Sequence, residues 1–97
     1  MAASLSSDLT DDEAVPYFLW DDPMTVAQLR HRLATASLPE RRRLLGKILR
    51  EARDTDVWVF TTPHEVWSDW DGILPHLGRT RGFWTHLMGA WRAAGLL

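Results

Sequence analysis

PHLGRTRGFWTHLMGAW, residues 75–91, threads two arginines and two histidines through Leu77, Phe83, Trp84, Leu87, Met88 and Trp91. The stretch reads either as a nucleic-acid surface or as the last helix of a small core. Helical spacing separates the two. Phe83, Trp84, Leu87, Met88, Trp91 and Ala94 fall on one continuous stripe, while Thr85, Gly89 and Arg92 lie elsewhere. Aromatics that stack on bases must project beside positive charge, not away from it. The spacing therefore predicts a helix over 80–94, stopped by Gly95, with a stripe that is core or interface.

Helical signals continue upstream. TTPHEVWSDWDGIL, residues 61–74, has Thr62 as cap, Pro63 at the first helical position and Glu65 in the first turn. Val66, Trp67, Trp70, Ile73 and Leu74 point one way, and Pro75 closes the helix. Ser37 with Glu40 forms a capping box ahead of Leu44, Leu45, Ile48, Leu49 and Ala52, predicting a helix to about Arg53. Thr25 with Gln28 opens another, running to about Ala34, with Val26, Leu29 and Leu33 on its apolar edge. DVWVF, residues 56–60, is short, β-branched and aromatic, and reads as an extended connector paired with the segment around Tyr17. One such strand cannot make a sheet. The expected fold is all-α: a compact single domain of about four helices over 15–97, with a short extended connector and a disordered acidic N-terminal arm over 1–14.

Length and composition agree. Ninety-seven residues leave no room for a second core, and 45% hydrophobic with 25% charged residues is an ordinary globular balance. The absence of cysteine removes disulfides, thiolate catalysis and Cys-based zinc sites. No apolar run approaches the roughly 20 residues needed to span a bilayer. The N-terminus lacks a basic segment followed by an apolar one, so a cytoplasmic protein is expected.

The net charge of −2 hides strong segregation. Residues 1–24 carry six acids and no base, residues 25–53 eight bases and two acids, residues 54–71 five acids and no base, and residues 72–97 three bases and no acid. Such blocks suit either internal pairing or a bipolar docking surface. A dedicated nucleic-acid binder is more uniformly basic.

Six tryptophans outnumber phenylalanine and tyrosine together. A small helical core does not easily enclose six indoles, and tryptophan is enriched at binding hot spots. Trp67 and Trp70, three residues apart, spread over the rim of their helix and are candidate partner-binding residues. Arg42, Arg43, Lys47 and Arg50 are further candidates, because Arg43, Lys47 and Arg50 share the face opposite the leucines with Arg42 and Arg53 beside it. The bland alternative is a solvated face screened by salt or covered by the acidic arm. Arg79 and Arg81, in HLGRTRG, complete the set, although that stretch matches neither a P-loop nor GxGxxG. His31, His64, His76 and His86 form no HxxxH pair, and no carboxylate lies at metal-site spacing with two of them. The acid-rich turn WSDWDG reads as a helix-end cluster more readily than as a cation site. No catalytic residue, metal or cofactor is expected, and the protein is not read as an enzyme.

YFLWD, LREARDTDVW and PHLGRTRGFW, with the segments around them over residues 17–97, resemble a family of small bacterial proteins. Members are typically encoded beside a nucleotidyltransferase-like protein of the AbiEii type, in pairs similar to toxin–antitoxin systems of the MenA/MenT kind. The resemblance implies an antitoxin that binds and silences a toxin which attaches nucleotides to tRNA. It implies a protein partner, no membrane, no small-molecule substrate and no direct nucleic-acid contact, and it assigns no role to a particular residue. Either the acidic segments meet the toxin's basic surface, or Arg42, Arg43 and Arg50 meet its acidic metal-binding residues. Two other readings stay open: a nucleic-acid-binding regulator using the basic helix 39–53, and a non-inhibitory accessory subunit of a nucleotidyltransferase.

Overall fold

Helices do dominate this chain, and the capping residues show why they begin where they do. The computed structural model describes residues 5–97. Its elements are β1 (Leu5–Ser6), β2 (Val15–Pro16), α1 (Val26–Thr35), α2 (Leu38–Glu51), α3 (Asp54–Val57), α4 (Pro63–Ser68), α5 (Trp70–Ile73) and α6 (Arg81–Ala93). Single 3₁₀ turns occupy Tyr17–Leu19, Leu74–His76 and Gly78–Thr80. The all-α expectation holds, with one short strand pair added. Among the described residues no helix is long and apolar enough to cross a membrane. The contacts group into two units, Met1–Ser37 and Leu38–Leu97.

In the first unit the Thr25 box forms as expected. The Gln28 amide donates to the Thr25 hydroxyl at 3.1 Å, and the Thr25 amide donates to the Gln28 side-chain oxygen at 2.8 Å. Two more free N–H groups at this helix start, those of Val26 and Ala27, donate to the carbonyls of Ala14 and Asp12 at 2.9 and 3.0 Å. These bonds tie the acidic segment to α1. Leu5–Ser6 pairs in parallel with Val15–Pro16, and Leu9 is buried. The first four residues of the expected flexible arm lie outside the described ones. From Leu5 onward the segment has a defined path, because its backbone donors and acceptors have partners and Leu9 has a core to enter. That core comprises Val15, Phe18, Leu19, Met24, Val26 and Leu29. Tyr17–Leu19 is a helical turn, not the extended segment expected there.

In the second unit α2 is the axis. Leu44, Leu45, Ile48 and Leu49 are buried as the spacing requires. Gly46 is buried too, and it lets the 74–76 turn lie directly on the helix: a Cβ there would fall onto the Cβ of His76. The Arg50 guanidinium clasps that turn, donating to the His76 carbonyl at 2.8 Å.

The expected connector at 56–60 is not extended. Asp54–Val57 forms α3, followed by turns in which the Val59 and Phe60 amides donate to the Asp56 and Val57 carbonyls. A short run of four apolar residues, Val57–Phe60, without a neighbouring strand must satisfy its amides locally. Asp54 and Asp56 in the first turn also complement the positive helix end. The third expected helix exists but breaks at Asp69 (φ −125°, ψ 29°) into α4 and α5.

The stripe on α6 is partly core. Trp84 and Met88 are buried, Leu87 and Trp91 half-buried, and Phe83 and Ala94 exposed. The Trp84 indole N–H donates to the Leu49 carbonyl at 2.8 Å. Trp58 packs edge-on against Trp84 at 5.9 Å and tilted against Trp91 at 5.8 Å. Gly95 adopts φ +77° and stops the helix as expected, with the Gly95 and Leu96 amides turning back to Arg92 and Trp91.

Candidate functional site

The second unit's most functionally suggestive surface is built on the break between α4 and α5. Thr62 starts α4 by accepting the Glu65 amide at 3.1 Å, and Pro63 takes the position where its missing N–H costs nothing. Six residues later the backbone leaves the helix at Asp69, and its amide turns back to the Trp67 and Val66 carbonyls. The kink brings Trp67 and Trp70 into a stack, with ring centroids 6.0 Å apart and planes 29° apart. Both indoles are half-buried.

Asp69 is held across the helices by Arg42. Arg42 Nε donates to both carboxylate oxygens at 3.0 and 2.8 Å, and Nη2 donates to Oδ1 at 2.7 Å. The side chains are 33% and 18% exposed, so the pair is partly shielded from solvent screening. Hydrogen bonds from Arg42 hold the Asp69 carboxyl below its ordinary range, and the same bonds raise the Arg42 guanidinium further. Gly72 makes room for this: a Cβ there would fall onto the Arg42 guanidinium. From α6, Arg92 places its guanidinium carbon 5.4 Å from the Trp67 ring centroid. Together Arg42, Trp67, Ser68, Asp69, Trp70, Asp71, Gly72 and Arg92 line an open cleft of about 520 Å³.

The structure brings three of the expected partner-binding residues together here: Arg42, Trp67 and Trp70. It does not bring the others. Arg43 pairs with Glu40 one turn earlier at 2.7 Å. Arg50 is spent on Glu51, at 3.0 Å, and on the His76 carbonyl. Lys47 is buried at 4% exposure, which corrects its expected place on the open face. On the helical wheel it does point away from Leu45 and Leu49, so its burial comes from other elements packing along α2 and not from its own spacing. Arg79, in the Gly78–Thr80 turn, and Arg81, the first residue of α6, are exposed and do not line the cleft.

Ser68, Asp69, Asp71, Gly72 and Arg92 also line the cleft and were not among the expected site residues. Arg92 joins the cleft only through tertiary packing, from 25 positions downstream of Trp67, and no local spacing announces it. Asp71 stood in view within WSDWDG, read as one member of a helix-end cluster. Among the described residues no group of three or more His, Cys, Asp or Glu side chains is placed to hold a metal ion. Trp20, in the first unit, is the most exposed tryptophan at 61%.

With two stacked indoles, a cation on one of them and an ion pair at its floor, the cleft is suited to receiving a side chain from another molecule. No family model, curated protein or solved structure matches the chain.

Proposed function

We propose that the protein is an antitoxin: a non-enzymatic cytoplasmic protein that binds a nucleotidyltransferase toxin by direct contact and silences its nucleotide transfer to tRNA. The choice of partner is part of this proposal and follows the expectation, drawn from residues 17–97, of an antitoxin-like protein. The observation that carries the docking half of the reading is the half-buried Trp67–Trp70 stack beside an open cleft. Tryptophans already oriented by the fold lose little rotamer freedom on binding, and such anchors are each worth about 2 kcal/mol or more at an interface.

The basic helix favours this reading over a nucleic-acid surface. Arg41, Arg42, Arg43 and Arg50 each face a carboxylate of the chain, and Lys47 is buried. A phosphate contact would have to compete with these pairs. Partner binding should accordingly depend only weakly on salt, whereas a phosphate binder loses affinity steeply.

The test is co-expression with the nucleotidyltransferase proposed as the partner, followed by size exclusion and a tRNA nucleotide-transfer assay. A stable complex in which transfer is abolished is expected. A complex with transfer intact would make the protein an accessory subunit, and no complex at all would overturn the reading.

A further inference from the structure

Asp69 stands where α4 ends and α5 begins, yet its carboxylate serves neither helix. An aspartate ahead of a helix ordinarily has an extended backbone and turns its carboxylate onto the second or third N–H of that helix. Two helix starts in this chain follow that rule. Thr25 (φ −72°, ψ 164°) and Thr62 (φ −129°, ψ 158°) are extended, and each accepts the amide three residues on. Asp69 makes no such bond to α5, and its φ of −125° goes with a ψ of 29°. Beside Thr62, φ is nearly the same and ψ is turned by about 130°.

Arg42 accounts for the difference. Its guanidinium takes both Asp69 oxygens through bonds of 3.0, 2.8 and 2.7 Å, and a carboxylate clasped from α2 cannot also turn back onto α5. A forked, charge-assisted pair outweighs a single cap bond. Gly72, inside α5, leaves the space of its missing Cβ to that guanidinium.

The break in turn decides where the indoles point. Trp67 lies in the six-residue α4 and Trp70 opens the four-residue α5. Helices this short do not hold their own geometry, so the angle between them depends on the residue that joins them. Turning ψ at Asp69 carries Trp70 with it and leaves Trp67 behind, where Arg92 lies over the ring. The stack of 6.0 Å and 29° therefore belongs to the clasped state of Asp69.

We infer that Arg42 is the positioning residue of the Trp67–Trp70 anchor: it keeps Asp69 from capping α5, holds the two rings stacked as the partner meets them, and does not touch the partner itself. The role of the stack in binding rests on the antitoxin reading. Control of the stack by Arg42 is a property of the free chain. Arg42, expected from the sequence as a partner contact, thus acts through Asp69.

Nuclear Overhauser contacts between the Trp67 and Trp70 rings of the full-length protein read the stack, and the Trp84 indole N–H, bonded to Leu49, reads the fold. Arg42→Ala should abolish the inter-ring contacts and leave the Trp84 signal in place. Arg42→Lys should do the same, because an ammonium keeps the charge without the fork. Gly72→Ala should also unstack the rings by displacing the guanidinium, and in the Arg42→Ala chain it should no longer lower Tm. Where Arg42→Ala loses the Trp84 signal, Asp69→Asn carries the test, since asparagine caps well but is a poorer partner for arginine. Ring contacts that survive Arg42→Ala or Asp69→Asn, or a full stack in Arg42→Lys, would overturn the inference.

The nucleotidyltransferase proposed as the partner separates the two levels of the argument. Arg42→Ala and Asp69→Asn should each lower affinity by about tenfold, the cost of ordering side chains that the fold no longer orders. The double variant should lose no more than either single one. A further loss would place Arg42 against the partner and overturn the inference. If the wild-type protein does not bind the transferase while Arg42→Ala unstacks the rings, the antitoxin reading fails and control of the stack by Arg42 stands. If the wild-type complex forms and Arg42→Ala keeps its rings stacked, the inference fails and the antitoxin reading stands.

Discussion

Replacing Gly46 with alanine tests how closely the 74–76 turn is laid on α2, and Gly89→Ala supplies the control. An alanine Cβ at position 46 would fall onto the Cβ of His76 and lie 3.3 Å from its Cα. Non-bonded carbons rest about 3.5–4.0 Å apart, so helix and turn would have to separate by about 1 Å. His76 cannot rotate out of the way, since both clashing atoms belong to or adjoin its backbone. Forcing an extra methyl into packed structure costs about 1–3 kcal/mol. Separation would also stretch the 2.8 Å bond from Arg50 to the His76 carbonyl. Against this, alanine in a helix interior gains about 0.8–1 kcal/mol over glycine. The net expectation is a loss of up to about 2 kcal/mol, or a fall in Tm of up to about 15 °C, where Gly89→Ala gains. Gly89 has the same intrinsic penalty inside α6 but nothing within 4 Å of its missing Cβ. Gly89→Ala should therefore raise Tm by about 4–8 °C. Thermal unfolding followed by circular dichroism reads both. If Gly46→Ala proved as stabilising as Gly89→Ala, the close approach of turn and helix would be refuted.

Three further perturbations follow from the same contacts. Trp84→Phe removes the indole donor to the buried Leu49 carbonyl and leaves a void, so urea unfolding should show a loss of about 2–3 kcal/mol. Thr25→Ala removes one half of the reciprocal cap of α1 and should cost about 1 kcal/mol by the same assay. Asp69 titrates below its unfolded value because Arg42 hydrogen-bonds its carboxylate. Its contribution to stability is therefore complete above about pH 4 and fades as pH falls through the lower native value. Asp69→Asn should remove that part of the dependence, so wild type and variant should differ more in Tm at pH 6 than at pH 2.

The helices were legible because their signals are local. Thr25 with Gln28, Thr62 with Pro63, and Gly95 are cap residues whose hydrogen bonds close within a few positions, and each appears in the structure where the spacing places it. The connector at 56–60 misled because β-branched and aromatic residues favour a strand only where a neighbouring strand supplies hydrogen bonds. None does, and the segment coils on itself. The acidic segment misled in the opposite sense. Composition alone suggested disorder, but the carbonyls of Asp12 and Ala14 are acceptors for the start of α1, a long-range match that composition does not encode. For the site, Trp67 and Trp70 could be named from their i, i+3 spacing. The pairing of Arg42 with Asp69 and the arrival of Arg92 depend on tertiary packing. Lys47 shows that a helical wheel drawn for one element misses what neighbouring elements cover.

The central claim is that Trp67 and Trp70 anchor a protein partner and are not needed to hold the fold together. The most direct test measures the affinity of Trp67→Ala/Trp70→Ala for the nucleotidyltransferase proposed as the partner, alongside the variant's own melting temperature. The account predicts that affinity falls by about 100-fold or more, with release of tRNA nucleotide transfer from inhibition, while Tm changes by only a few degrees. Unchanged affinity with a collapsed Tm would make the pair core and contradict the claim.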